Sequence, residues 1–195
     1  MTSQRNNPEP ARSSEDLALD AAREAILAVG WSRTTLTDIA RRAGLSRMTL
    51  YRRWPEMNAL LADLMTREWD DLVTLPEAER GRDALVGGVV ATVGALRSNA
   101  LFTRIIELDP EMLLPYLLER TGRSQDHVLA LLVAGVGAGQ ADGSVRPGDP
   151  AALARAIVLT AHGFVLSAQT MTGDHVDLGA LDAELADLLE RYLRP

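Results

Sequence analysis

Residues 46–57, SRMTLYRRWPEM, gather Arg47, Arg52 and Arg53 around Tyr51 and Trp54. A guanidinium group can grip a phosphate or the O6/N7 edge of guanine. A phenol hydroxyl can reach a phosphate, and threonine and methionine methyls can meet the methyl of thymine. Wound as a helix starting at Ser46, the stretch turns Leu50 and Trp54 to one side and Met48 and Arg52 to the other. Thr49 and Tyr51 flank the outer face, Arg47 reaches sideways from the first turn, and Arg53 lies nearer the core edge, within reach of a nucleic-acid backbone. The plainer alternative is an arginine-rich face that meets only water.

The flanking residues decide between these. Thr35 opens a preceding short helix, and Thr35-Leu-Thr-Asp38 is a capping box with Asp in place of Glu. That helix turns Ile39, Ala40 and Ala43 inward and stops at Gly44, where a sharp reversal favours a residue tolerant of positive φ. Leu45, Leu50 and Trp54 complete a small core. Two short helices in this arrangement are the plan of a helix-turn-helix, whose second helix enters the major groove.

The rest of the chain also predicts helices. Ser13 or Ser14 caps a first one, with Leu17, Ala21, Ala25 and Val29 on one face and Gly30 as its stop. After Pro55 a long helix carries Leu60, Leu61, Leu64 and Leu72. Further helices are expected over 77–97, 100–108, 110–119, 124–140, 150–171 and 177–193. Asp149-Pro150 is a strong start, since Pro lacks an N–H that would be unpaired there anyway. Strand-like alternation is absent. The expected fold is all-α, with about nine helices: a tail over 1–12, a three-helix domain over 13–58 and a second helical domain over 59–195.

Residues 34–65, TTLTDIARRAGLSRMTLYRRWPEMNALLADLM, resemble the DNA-binding signature of the tetracycline-repressor (TetR) family of transcriptional regulators. Thr35, Ile39, Ala40, Ala43, Gly44, Ser46, Thr49, Leu50, Tyr51 and Trp54 match it in one register. The resemblance implies a DNA-contact set of Thr35, Thr37, Ser46, Arg47, Met48, Thr49, Tyr51, Arg52 and Arg53. Two departures stand out. Met48 occupies a position where the family often has Gly, and Glu56-Met57 stands where it usually has Ser-Lys, so that Arg52 and Arg53 would replace the lysine phosphate contact.

One helix reads too few base pairs for specificity, and a two-fold dimer presents two about 34–36 Å apart. In the family the last two helices form the dimer. The terminal stripe of Leu178, Leu181, Leu185, Leu188 and Tyr192 fits that role, as does a helix over 150–171 that is apolar on two sides. The expected interface is Val158, Leu159, Leu166, Leu181, Leu185, Leu188 and Tyr192; packing within one chain is the alternative. The resemblance also implies a small-molecule pocket, with Trp69, Phe102, Ile105, Leu113, Tyr116, Leu117, Leu131, His162 and Phe164 as its lining. Few of these are polar, which favours an apolar or amphipathic effector over a sugar or nucleotide. Ordinary core packing accounts equally well for each of these residues.

Charge and composition agree with a local nucleic-acid footprint. The chain has net charge -7, but residues 1–58 hold nine arginines against seven acids, and residues 59–195 hold eleven against twenty. All 20 basic residues are arginine. With no cysteine, disulfides and thiolate metal sites are excluded. The polar start has no signal-peptide core and no continuous apolar run reaches the ~18–20 residues of a span, so a cytoplasmic protein without membrane contact is expected. His127, His162 and His175 lack metal-ligand spacing. Gly135-Val-Gly-Ala-Gly139 lacks the glycine pattern of a phosphate loop and reads as close helix packing or a frayed helix end. No cofactor, metal or catalytic residue is implied. The leading expectation is a homodimeric, ligand-responsive repressor binding a near-palindromic DNA operator. A helical ligand-binding or interaction protein comes second, and an enzyme third.

Overall fold

The computed structural model describes residues 12–70, 72, 81–119 and 121–195. Among them there are ten α-helices and two 3-10 turns and no β-strand, in keeping with the all-α expectation. The chain forms two compact units, residues 1–64 and 65–195. The division falls inside the fourth helix, later than the expected 58/59 boundary, because buried Leu60, Leu61 and Leu64 belong with the first unit. The tail expected over 1–12 lies outside the described residues except for Arg12, which is tied by an ion pair of 2.9 Å to Asp20.

In the first unit α1 (Ser14–Val29) begins with a full capping box: the Ser13 hydroxyl accepts the Asp16 N–H, and the Asp16 carboxylate accepts the Ser13 N–H. Gly30, at φ 87°, ends it. Its buried face is Ala18, Leu19, Ala21, Ala22, Ala25 and Ile26, whereas Leu17 and Val29, expected inward, are 36% and 40% exposed. The small residues Ala18, Ala22 and Ala25 let neighbouring helices come close, which turns the helix away from the larger stripe. Trp31, just after the stop, is buried as well, and no helical spacing marks it. α2 (Leu36–Arg42) and α3 (Arg47–Arg53) come next, joined through Gly44 at φ 66°, a conformation in which any Cβ is strained. α4 (Met57–Asp70) completes the order.

The second unit contains α5 (Arg82–Ser98), α6 (Ala100–Leu108), α7 (Leu114–Leu118), α8 (Arg123–Ala141), α9 (Pro150–Ser167) and α10 (Leu178–Leu193), with 3-10 turns at Pro110–Met112 and Ala168–Met171. The stretch expected as one segment over 110–119 is therefore split at Leu113, with Pro110 and Pro115 each in the first turn of a separate piece. α5 and α10 run antiparallel, held at both ends by ion pairs, Arg82–Glu190 and Arg97–Asp182, each 2.5 Å. Between them Leu85, Val86, Val89 and Val93 belong to one core with Leu185, Leu189 and Leu193, and with residues of α8 and α9. Gly139 sits inside α8, where an added Cβ would lie 2.5 Å from Val145 Cγ2; close packing, not phosphate binding, explains that glycine.

α9 corrects one expectation. Within Pro150–Met171 an 18-residue stretch has a mean hydropathy of 1.6, so the segment is long and apolar enough to cross a membrane by length and composition. No single apolar run reveals this, because Thr160, His162 and Gly163 interrupt the pattern while Arg155 is the sole charge between 150 and 171. Only 22% of its most apolar window is buried within the chain.

Candidate nucleic-acid interface

Two elements of the first unit position the candidate groups. Thr35 caps α2: its hydroxyl accepts the Asp38 N–H at 3.1 Å and donates to the Asp38 carboxylate at 2.8 Å. That bond, aided by Arg41, holds the Asp38 carboxyl below its usual range. Thr37, on the first turn, is half-buried. Ser46 caps α3, accepting the Thr49 N–H at 3.1 Å and bonding the Thr49 hydroxyl at 2.8 Å. Leu50 and Trp54 anchor the helix from within, 1% and 2% exposed.

The opposite face of α3 is open. Met48 is 77% exposed and Tyr51 46%, and Arg47 and Arg52 are exposed with no ion pair among the described residues. Arg47 and Tyr51, and Met48 and Arg52, lie four residues apart, so the four side chains form one surface. Two free guanidinium groups, a phenol and an unbranched apolar chain project from a capped, core-anchored helix. This is a surface able to grip phosphates and read base edges.

Arg53 departs from the expected set. It does not stand free beside the others. Its Nε and Nη2 donate to the Glu15 carboxylate of α1 at 3.3 and 2.9 Å, and Nη2 lies 3.5 Å from Asp63 of α4. Its guanidinium also covers the Trp54 ring, 5.3 Å from the centroid. The bond to Glu15 raises its already high pKa. Asp63 in turn accepts the Trp54 Nε1–H at 2.7 Å. Nothing in the local sequence announces these ties, because Glu15 precedes Arg53 by 38 residues.

Residues 18–64 match the model of the bacterial regulatory proteins of the tetR family. Over 176 residues the chain is 36% identical to the helix-turn-helix transcriptional regulator Rv2250c of Mycobacterium tuberculosis, covering 90% of this chain and 92% of that one. The chain belongs to the tetR family. It is a helix-turn-helix transcriptional regulator. Among solved structures it shares its fold with the Bacillus subtilis regulator FadR in complex with stearoyl-CoA (18% identical, TM-score 0.65, 91% and 98% of the two chains covered). It shares it also with the Rhodococcus erythropolis TetR-family repressor QsdR (17%, TM-score 0.64, 94% and 96%).

In this tetR-family chain the pocket candidates are dispersed over α4 and α6–α9. Phe102 and Ile105 are buried on α6; Trp69, Leu113, Tyr116, Leu131, His162 and Phe164 are half-buried; Leu117 is exposed. Phe164 packs against the core of the second unit. Burial pushes the His162 imidazole below its ordinary pKa. The interface set needs one correction. Leu185 is fully buried in the unit's own core, so it is closed to a partner. On α10 the inward residues are 185, 189 and 193, spaced by four, not the heptad stripe. Leu159 and Leu188 are open, 72% and 52% exposed, and Leu181 and Leu166 are half-buried. Val158 packs partly on the core, and the Tyr192 ring lies under the Arg146 guanidinium, 4.7 Å from its centroid.

Proposed function

We propose that this regulator is a cytoplasmic homodimer that binds a near-palindromic operator through α3 of each protomer and represses transcription until an apolar or amphipathic effector releases it. The observation that carries the proposal is the open face of α3, where Arg47, Met48, Tyr51 and Arg52 project while Leu50 and Trp54 are held inside. Thr35, Thr37, Ser46 and Thr49 surround that face as helix-start groups suited to phosphates.

The dimer draws its support from α9 and α10. A helix with so apolar a sequence and so little burial calls for a cover, and Leu159 and Leu188 offer open apolar contacts. The effector draws support from the mostly apolar pocket candidates of the second unit and from a fold shared with FadR, which binds stearoyl-CoA. The effector must favour one conformation over the other; release requires differential affinity. α4, which continues from the first unit into the second, would transmit the change to α3.

The test is selection from a random duplex library by the purified protein, and then titration of the enriched duplex. A two-fold-symmetric sequence bound far more tightly than random DNA is expected. Equal binding of enriched and random duplexes would remove the reading as a sequence-specific regulator.

A further inference from the structure

The geometry points to Glu15, on the first turn of α1 and outside the helix-turn-helix, as a positioning residue for DNA binding that acts through Arg53. The inference rests on the reading of α3 as the DNA-reading helix. α3 packs its backbone more closely on α2 than on α1. Between α1 and α3 lies a cleft of about 190 Å³ walled by Ser14, Glu15, Leu45, Thr49, Arg52 and Arg53. Beside the buried anchors Leu50 and Trp54, the end of α3 is held by polar ties: Arg53 to Glu15 across the cleft, and Arg53 and Trp54 to Asp63 of α4. The cleft is not an anion site, because Glu15 and Asp16 make the α1 start acidic.

The two arginines near the end of α3 therefore have different tasks. Arg52, at the edge of that cleft, is exposed and has no ion pair among the described residues. Arg53 has Nε and Nη2 engaged by a carboxylate and lies over Trp54, so its orientation is fixed within the protein. An exposed ion pair contributes little to overall stability. Its effect falls on the angle of a seven-residue helix whose outer side chains must meet base edges within hydrogen-bond reach.

A direct phosphate contact and a positioning contact separate by salt dependence. Removing a phosphate contact lowers the slope of log K against log[salt] by about one. Removing a positioning contact weakens specific binding and leaves the slope alone. The experiment measures affinity for the selected duplex, relative to random duplex, across salt concentrations. It compares wild type, Glu15→Gln, Arg53→Gln, their double variant and Arg52→Gln. Glu15→Gln and Arg53→Gln are each expected to lower the ratio about three- to fivefold with an unchanged slope, and the double variant to be no worse than either single one. Arg52→Gln is expected to lower the slope by about one.

Three results overturn the inference: Glu15→Gln binding as tightly as wild type or more so, a slope drop for Arg53→Gln, or additive losses in the double variant. If wild type itself prefers no duplex, the functional reading fails, a result distinct from all three. Thermal melts of each variant check that the fold is kept, as expected for side chains 52% and 44% exposed.

Discussion

At the scale of single residues, Met48 makes a sharp prediction. An unbranched apolar side chain left 77% exposed on the helix proposed to read DNA gains only when it meets another apolar group. The major groove offers one such group, the C5-methyl of thymine. Replacing each thymine of the selected half-site by deoxyuridine removes that methyl and nothing else. One position per half-site is expected to show a loss of about 1 kcal/mol, and the loss should vanish in Met48→Ala. Fluorescence anisotropy with the substituted duplexes reads it; equal sensitivity of both proteins would count against the contact. His162 makes a second prediction at this scale. Burial depresses its folded pKa, so the unfolded chain takes up the proton first as pH falls. Its contribution to stability is complete above the unfolded value of ~6.5, and is lost as pH falls through that value towards the folded one. Melting temperature should drop between about pH 7.5 and 5.5, and drop less in His162→Gln. A parallel fall in both proteins would assign the titration elsewhere.

At the scale of elements, the caps explain why so much of the fold is legible in the sequence. Ser13, Thr35, Ser46, Asp149 and Asp177 each accept a backbone N–H at a helix start, and each is recognisable from its own type and its immediate neighbours in the chain. Gly44 and Gly30 mark stops for an equally local reason, positive φ. Facing is harder to read. On α1 and α10 apolar residues run around more than one side, so leucine spacing alone selects Leu17 and Leu185 for roles that packing gives to others. The ties among Glu15, Arg53 and Asp63 are invisible in the sequence because they depend on which helix ends meet. The two glycine classes lead to a contrast that can be measured. Gly44→Ala meets no neighbour within 4 Å, so the cost is left-handed strain alone, about 1 kcal/mol. Gly139→Ala drives a methyl to 2.5 Å from Val145 and must displace a buried side chain, for a cost of about 1–3 kcal/mol. Urea unfolding of both variants is expected to rank Gly139→Ala as the more damaging; the reverse order would contradict the packing described for α8.

At the scale of the whole molecule, the proposed association and the folding of one chain would call on different leucines of the last two helices. Leu159 and Leu188 project into solvent, and Leu185 lies in the core of its own chain. A charged residue at an open position should leave the protomer intact and oppose burial against a second copy, since an unpaired charge in an apolar interface is costly. Leu159→Glu with Leu188→Glu is therefore expected to shift the sedimentation coefficient to that of a monomer of 21.1 kDa while the helical circular-dichroism signal is kept. Operator affinity should fall with it, because two half-sites would then be engaged independently rather than by one rigid pair of reading helices. Leu185→Ala should do the converse. It opens a cavity in the core at a cost of about 2–5 kcal/mol, seen as an earlier urea midpoint. Sedimentation of whatever remains folded should match that of the wild type. An unchanged sedimentation coefficient for the double charged variant would show that α9 and α10 meet no partner through these residues, and the exposed apolar face of α9 would then require another cover.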